Sequence, residues 1–316
     1  MDLVESSVVH ASLPSLSVPH FLAAAIVRAA QRTRTHLLIV LLADLFDPAH
    51  PLSHTAAWND VQQLLTFVYV QATKVAQDMN RILMNIDVLL LGPHSRLPEP
   101  LLAPQLVFRV DGDASPLPAS LSSLPKETLP RSPTPALPPN APPRSDAPDT
   151  PSLFPVVALG GTFDHLHAGH KILLSMAAFI ASSKLIVGVT SDTLLTRKAH
   201  ASVLEPLPAR TAAVRNFLAL FKPGLEADVV PISDVYGPTG WDANIQALVV
   251  SKETADGARA IATHRAAHNL PALQTFTIDV ISASSTNLSD ADANLLKQTK
   301  MSSTYIREWI VANGKQ

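Results

Sequence analysis

Apolar and polar positions alternate along this chain in two distinct periods. FLAAAIVRAAQ (21–31) repeats its apolar residues three and four apart, as a helix does, and HLLIVLLA (36–43) is the short continuous run of a buried strand. TAAWNDVQQLLTFVYVQATKVAQDM (55–79) has the length and spacing of a long helix, and IDVLLLGP (86–93) and QLVFRV (105–110) read as strands. These elements predict a small α/β layer structure. A second series begins at VVAL (156–159), which runs into Gly160 and Gly161; helical spacing follows from His167 to Ala181, and KLIVGV (184–189) is the next strand. A helix over 208–221, the strands ADVVPI (227–232) and ALVV (247–250), a helix over 254–268 and the strand TFTIDVI (275–281) complete it. Strands that alternate with helices of this length predict a parallel sheet covered on both faces, with ligands bound beyond the carboxyl ends of the strands.

Composition separates the two series. Residues 116–155 hold 13 of the 27 prolines, and little apolar material lies between them. Such a stretch reads as an extended or disordered linker. The expected division is therefore a domain over 1–114, a linker over 115–152 and a second domain over 153–316. With 316 residues and 47% hydrophobic content, both domains have enough material for a core. The net charge of -2 argues against a nucleic-acid surface. The absence of cysteine excludes disulfides, thiolate zinc sites and cysteine nucleophiles. MDLVES has no basic leader region and no apolar run is long enough to span a bilayer, so a cytoplasmic protein with no membrane partner is expected.

The first series carries no phosphate loop and no catalytic cluster. His50 and His54, in HPLSH, have no third metal ligand near them and read as ordinary loop histidines. The candidate chemistry lies in GGTFDHLHAGHKILL (160–174). Glycines at the end of a strand allow a sharp turn and a close backbone approach. Thr162 offers an amide and a hydroxyl, and His167 and His170, three apart at a helix start, share one face. A helix N-terminus adds free N–H groups and partial positive charge, so the whole forms a set of donors suited to phosphate oxygens. A second segment of the same kind is KMSSTYIREWI (300–310), where Ser302, Ser303 and Thr304 precede a helical pattern and Lys300 and Arg307 add charge.

His167-Ala168-Gly169-His170 resembles the HxGH signature of the nucleotidyltransferase superfamily, and KMSST resembles its second signature. LIVGVTSDTLLTRK (185–198), VLEPLPAR (203–210), VVPISDVYGPTG (229–240) and LVVSKETADGARAI (248–261) extend the likeness. Over 156–312 the chain resembles the eukaryotic, fungal-type pantetheine-phosphate adenylyltransferases. The resemblance implies a Rossmann-like α/β nucleotidyltransferase domain, preceded here by the smaller α/β domain. It also implies transfer of the adenylyl group of ATP to 4′-phosphopantetheine, giving 3′-dephospho-coenzyme A and pyrophosphate, by direct in-line attack.

The roles it implies are as follows. His170 donates to the α-phosphate and Lys198 lies between the phosphates of the two substrates. Gly161, Thr162, Phe163 and His167 contact ATP, as do Lys300, Ser302, Ser303, Thr304 and Arg307. Thr162, Lys198 and Lys252 face phosphopantetheine, Lys252 being the one charge left where bacterial relatives have a basic R-G-x-R loop. Mg²⁺ is expected to arrive with ATP. Partners are the two substrates, with residues 1–114 a candidate contact for other coenzyme A enzymes. A fused kinase is not expected, since the chain lacks G-x-x-x-x-G-K-[ST] and ends at Gln316. The rivals are a cytidylyltransferase acting on a small phospho-alcohol, and a non-catalytic scaffold. Against the first stand K-M-S-S-T in place of R-T-x-G-[IV]-S-T-T and the YGPTG and VVSKET blocks. A tRNA synthetase lacks support from any basic extra domain.

Overall fold

The computed structural model describes residues 2–47, 53–98, 103–133, 151–278, 295, 299 and 302–314. His50, Lys300, residues 134–150 and the end of the strand expected over 275–281 lie outside the described residues. The chain divides into two units, Met1–Ser152 and Leu153–Gln316.

Unit 1 contains the strands β1 (Val4–Ser12), β2 (Thr33–Leu42), β3 (Asn85–Leu91), β4 (Leu106–Val110) and β5 (Lys126–Leu129). Helices α1 (Ala23–Arg32), α2 (Trp58–Asp78) and the single turn α3 (Ala119–Ser122) connect them. The sheet is parallel throughout, in the order β3-β2-β1-β4-β5. β2 is buried from His36 to Leu42, which is why it reads as a continuous apolar run. Each such fully buried aliphatic side chain contributes roughly 1.5–3 kcal/mol of transfer free energy.

Two strands escape the sequence pattern. β1 occupies the centre of the sheet, but its VESSVVHAS mixes serines and a histidine among the valines. Those polar groups are buried: Ser7 and Thr33 share a hydroxyl–hydroxyl bond of 2.5 Å, and Thr33 donates to the Ala29 carbonyl at 2.7 Å. β5 lies inside the stretch 115–152 expected to be linker, so the structure corrects that boundary for residues 119–133. KETL is a short edge strand with one buried residue, Leu129, and an edge position tolerates the prolines around it. Glu127 fixes it to the neighbouring helix through Arg28 at 3.2 Å and Arg32 at 2.7 Å.

Unit 2 runs β6 (Phe154–Gly161), α4 (Ala168–Ile180), β7 (Ala181–Thr190), α5 (Leu207–Phe221) and β8 (Glu226–Ile232). β9 (Ala247–Ser251), α6 (Ala255–Ala267), β10 (Gln274–Ile278) and a last helix, α7 (Ser303–Ala312), follow. Its sheet is parallel, in the order β10-β9-β6-β7-β8. Ala158, Ile186, Leu248 and Val250 pack with Ile261 of α6 in one cluster. Strand alternation turns Val157, Leu159, Leu185 and Val187, also buried, to the opposite face. α4 is buried at every position from Lys171 to Ile180, so it is a core helix with no solvent face there. Its C-terminal end is closed by Lys222, whose Nζ donates to the carbonyls of Ala178 at 2.9 Å and Ala181 at 2.6 Å. The chain winds from β6 towards β8 on one side and, through β9, towards β10 on the other. The crevice beyond β6 and β9 is therefore the topological switch point, where open α/β sheets bind ligands.

Candidate active site

A cavity of about 650 Å³ opens at that switch point. Gly160, Gly161 and Thr162 supply one wall from the end of β6, and His167 and His170 another from the start of α4. Ser302, Ser303, Thr304 and Arg307 approach from α7, and Lys198 and Lys252 stand on loops at its rim. Ten of the residues selected from sequence thus meet in one space, although they are spread over the whole second series. Phe163 does not line it. Its side chain is fully buried, and its ring lies where a Cβ on Gly161 would sit, 3.0 Å away. Gly161 therefore makes room for this ring, beyond any role in ligand approach. Lys300 lies outside the described residues.

The turn between β6 and α4 is strained and heavily tied. Phe163 has φ 52° and His165 φ 44°, two side-chain-bearing residues in the left-handed region on either side of Asp164. Such backbone persists only where the surroundings over-determine it. Here the Thr162 carbonyl accepts from Arg210 Nη1 at 2.7 Å and the Asp164 carbonyl accepts from Ser303 Oγ at 2.8 Å. The Asp164 carboxylate accepts from the Glu205 amide at 2.9 Å and pairs with Arg307 Nη1. The His165 amide donates to Glu205 Oε2 at 2.7 Å, and His165 Nε2 donates to the Val203 carbonyl at 2.8 Å. Asp164, His165 and Glu205 bring donor atoms within 4.8 Å of one another, the one such group among the described residues. These bonds already engage them, and a cation at Asp164 would have to displace Arg307.

Both signature histidines point their rings into the cavity wall. His167 is the N-cap position of α4 without a side-chain cap bond, and its ring stacks on His170 with centroids 3.9 Å apart. The Nδ1 atoms of both are buried and have no hydrogen-bond partner. Burial pushes the His170 imidazole down to about 4 and, with the neighbouring His170 adding to the effect, pushes His167 well below the usual range. In the free site both are neutral, so each offers one N–H donor and one lone pair. An arriving phosphate would favour the protonated form.

α7 starts at Ser302, whose Oγ accepts from the Tyr305 amide at 3.3 Å, and is anchored by the buried Ile306 and Ile310. Ser302, Ser303 and Thr304 at its start line the cavity, and a helix N-terminus has the polarity that suits an anion. Arg307 is 2% exposed. Its Nε donates to the Ala199 carbonyl at 2.8 Å and its Nη2 to Thr304 Oγ1 at 3.3 Å, beside the bond to Asp164. Three of its N–H groups are therefore engaged with protein, which gives Arg307 work other than gripping a phosphate.

One fully buried arginine behind the site has no signal of its burial in the sequence. Arg210, 0% exposed, is neither on the surface of α5 nor open to the cavity. It donates to Thr162, to the Glu205 carbonyl at 2.9 Å and to Asp192 Oδ1 at 2.5 Å. Nothing in PLPAR distinguishes it from a first-turn surface arginine; the one local signal is Pro208, which fixes where α5 begins. Leu173 and Ile278, which give the cavity an apolar wall, look in sequence like any core residues.

Residues 158–309, which hold this paired-signature site, match the model of the cytidylyltransferase-like family. The chain is 38% identical over 128 residues to a phosphopantetheine adenylyltransferase of Pyrobaculum aerophilum, covering 40% of this chain and 81% of that one. It belongs to the phosphopantetheine adenylyltransferase family. The phosphopantetheine adenylyltransferase of Saccharomyces cerevisiae is 43% identical over 136 residues, 43% of this chain and 45% of its own. An uncharacterized protein of Schizosaccharomyces pombe is 44% identical over 154 residues, 48% and 47% of the two chains. The matched segments span about half the length of these two fungal relatives.

Proposed function

We propose that unit 2 transfers the adenylyl group of ATP to 4′-phosphopantetheine, giving 3′-dephospho-coenzyme A and pyrophosphate. A phosphate oxygen of the acceptor attacks the α-phosphorus, and the bond from that phosphorus to the bridging oxygen of the β-phosphate breaks. Nucleophile and leaving group are both anionic, so no general base is needed. The work is to hold two mutually repelling polyanions in line and to stabilise charge on the α-phosphate oxygens. In this reading the His170 N–H serves those oxygens, with His167 beside it, and Thr162 and Lys198 orient the acceptor phosphate. The amides and hydroxyls at the start of α7 take the β- and γ-phosphates. Lys252, at the carboxyl end of β9, supplies the charge for the acceptor end of the cavity.

Mg²⁺ belongs to this reading as a companion of ATP. The Asp164 carboxylate is engaged by Arg307 and Glu205, and Glu253 is the one carboxylate among the described lining residues. Such a set suits an ion held by triphosphate oxygens and water, whose chemistry is to neutralise phosphate charge. The reading also places the protein in the cytoplasm, with unit 1 available to other enzymes of coenzyme A synthesis. No helix among the described residues is long and apolar enough to cross a membrane.

One observation carries the proposal: two signature segments separated by 139 positions touch through the Ser303–Asp164 bond at the edge of one cavity. The test follows pyrophosphate release from the purified chain. Release with ATP and 4′-phosphopantetheine, but not with CTP and phosphocholine, is expected. The reverse preference would make the protein a cytidylyltransferase, and no release with either pair would leave the scaffold reading.

A further inference from the structure

We propose that Arg210 and Arg307 are positioning residues that act on the substrates only through the strained turn 162–165, and that Arg307 joins the two halves of the site into one unit. This rests on the adenylyl-transfer reading and deepens it.

The turn is unfavourable by itself. Two side-chain-bearing residues, Phe163 and His165, lie in the left-handed region, and that conformation must be held from outside. Arg210 holds its first residue, by the carbonyl of Thr162, and is itself fixed by the Glu205 carbonyl and Asp192. Arg307 holds its third residue, by the carboxylate of Asp164, and is fixed by the Ala199 carbonyl. Each guanidinium uses donors in two or more directions at once, which a lysine ammonium on a flexible stem does not reproduce. Both arginines are almost completely buried, at 0% and 2% exposure, and their identified partners are protein groups.

The consequence is geometric. Thr162 cannot move without breaking the Arg210 bond, and Asp164 cannot move without dragging α7, which also holds it through Ser303 Oγ. The turn that would carry the acceptor phosphate is thereby locked to the helix that would carry the triphosphate tail. In-line transfer depends on the relative placement of those two phosphates, and a misplacement of about 1 Å can cost roughly 10²-fold in rate.

The experiment compares R307K, D164N, the double variant D164N/R307M and R210K in pyrophosphate release, thermal melting and hydrogen exchange of the peptide covering 160–166. R307K, which keeps the charge and loses the fork, is expected to lower kcat by about 10²-fold with the KM for ATP changed only a few-fold. D164N leaves a buried guanidinium unpaired and is expected to melt early; D164N/R307M removes both charges and recovers stability. Its kcat is nevertheless expected to stay down, with faster exchange over 160–166. R210K is expected to show the same faster exchange. Wild-type kcat in R307K would sink the proposal, because a mere cation would then suffice. Recovery of kcat together with stability in the double variant would also sink it, by making the pair purely structural. The exchange measurement needs no substrate. If phosphopantetheine proves not to be the acceptor, the functional reading falls while exchange still decides whether the arginines clamp the turn.

Discussion

The two units share one strand order and differ in what they do with it. In each, the first strand is central, the second and third lie to one side, and the fourth and fifth to the other. Each therefore has a switch point at the carboxyl ends of its first and fourth strands. In unit 2 that crevice is a cavity of about 650 Å³; in unit 1 it has shrunk to about 140 Å³. An aspartate explains the contrast in both cases. Asp113, just past β4, reaches across to β1 and accepts from the Ser12 amide at 2.7 Å and the Ser12 hydroxyl at 2.9 Å. The Ser115 amide adds a third bond at 2.9 Å, and Arg109 closes the loop from below by donating to the Asp113 and Ser115 carbonyls. The start of α1 is occupied too, since the Ala24 amide donates to Ser132 Oγ at 2.8 Å. Asp164 of unit 2 does the reverse: it pairs with Arg307 away from the crevice, which Gly169 and His170 at the start of α4 line instead. Topology supplies the crevice, and the turn after the first strand decides whether it is a site.

The largest expected effect separates the two crevices by function. His170→Ala removes a preorganised donor and is expected to lower kcat by about 10²–10³. His10→Ala, at the buried histidine beside the unit 1 crevice, is expected to leave kcat where it was, both measured as pyrophosphate release. Equal losses in the two variants would erase the distinction drawn above.

Next in size is a stability effect confined to unit 1. Burial alone would push the Asp113 carboxyl up, but the bonds from Ser115 and Ser12 outweigh it and hold the carboxyl below its usual 3.8. Asp113→Ala leaves those donors without their acceptor, at a cost of about 1–3 kcal/mol. A lower unfolding midpoint with unchanged kcat is expected. Because the folded value is depressed, this contribution is present above the unfolded value near 3.8 and fades as pH falls below it. An Asp113→Ala chain that bound ATP in unit 1, seen as slowed exchange over 12–24, would show the plug to be a latent site.

Much of this was legible in the sequence, and the residues that were not share a cause. α2, β2, α4 and the strands of unit 2 declare themselves through apolar period, because each buries its side chains against a face. Both signature segments declare themselves through residue types that a core does not need: paired histidines after glycines, and serines before a helix. β1 and β5 were hidden because their polar residues are satisfied by partners distant in sequence, such as Ser7 with Thr33 and Glu127 with Arg28 and Arg32. The burial of Arg210 and Arg307 is hidden for the same reason. A buried arginine is recognisable only once the carbonyls and carboxylates around it are in place, and those come from residues 162, 164, 192, 199 and 205.

The smallest expected effect sharpens the comparison through pH. Burial brings His10 of unit 1 and His170 of unit 2 down to the same value, about 4. Between that value and the unfolded 6.5 the unfolded chain binds more protons than the folded one, so each histidine makes its unit less stable as pH falls through this window. Without ligand, exchange should therefore quicken in peptides from both β1 and α4 on going from pH 7 to pH 5, and less so in His10→Ala or His170→Ala for the corresponding unit. ATP should break the symmetry. Its phosphates would favour the protonated imidazole at His170, raising that value and restoring protection to α4, whereas β1 should respond to pH as before. Equal protection of both peptides by ATP would mean that the crevice of unit 1 also receives an anion, and the difference between the two aspartates would no longer account for the difference between the units.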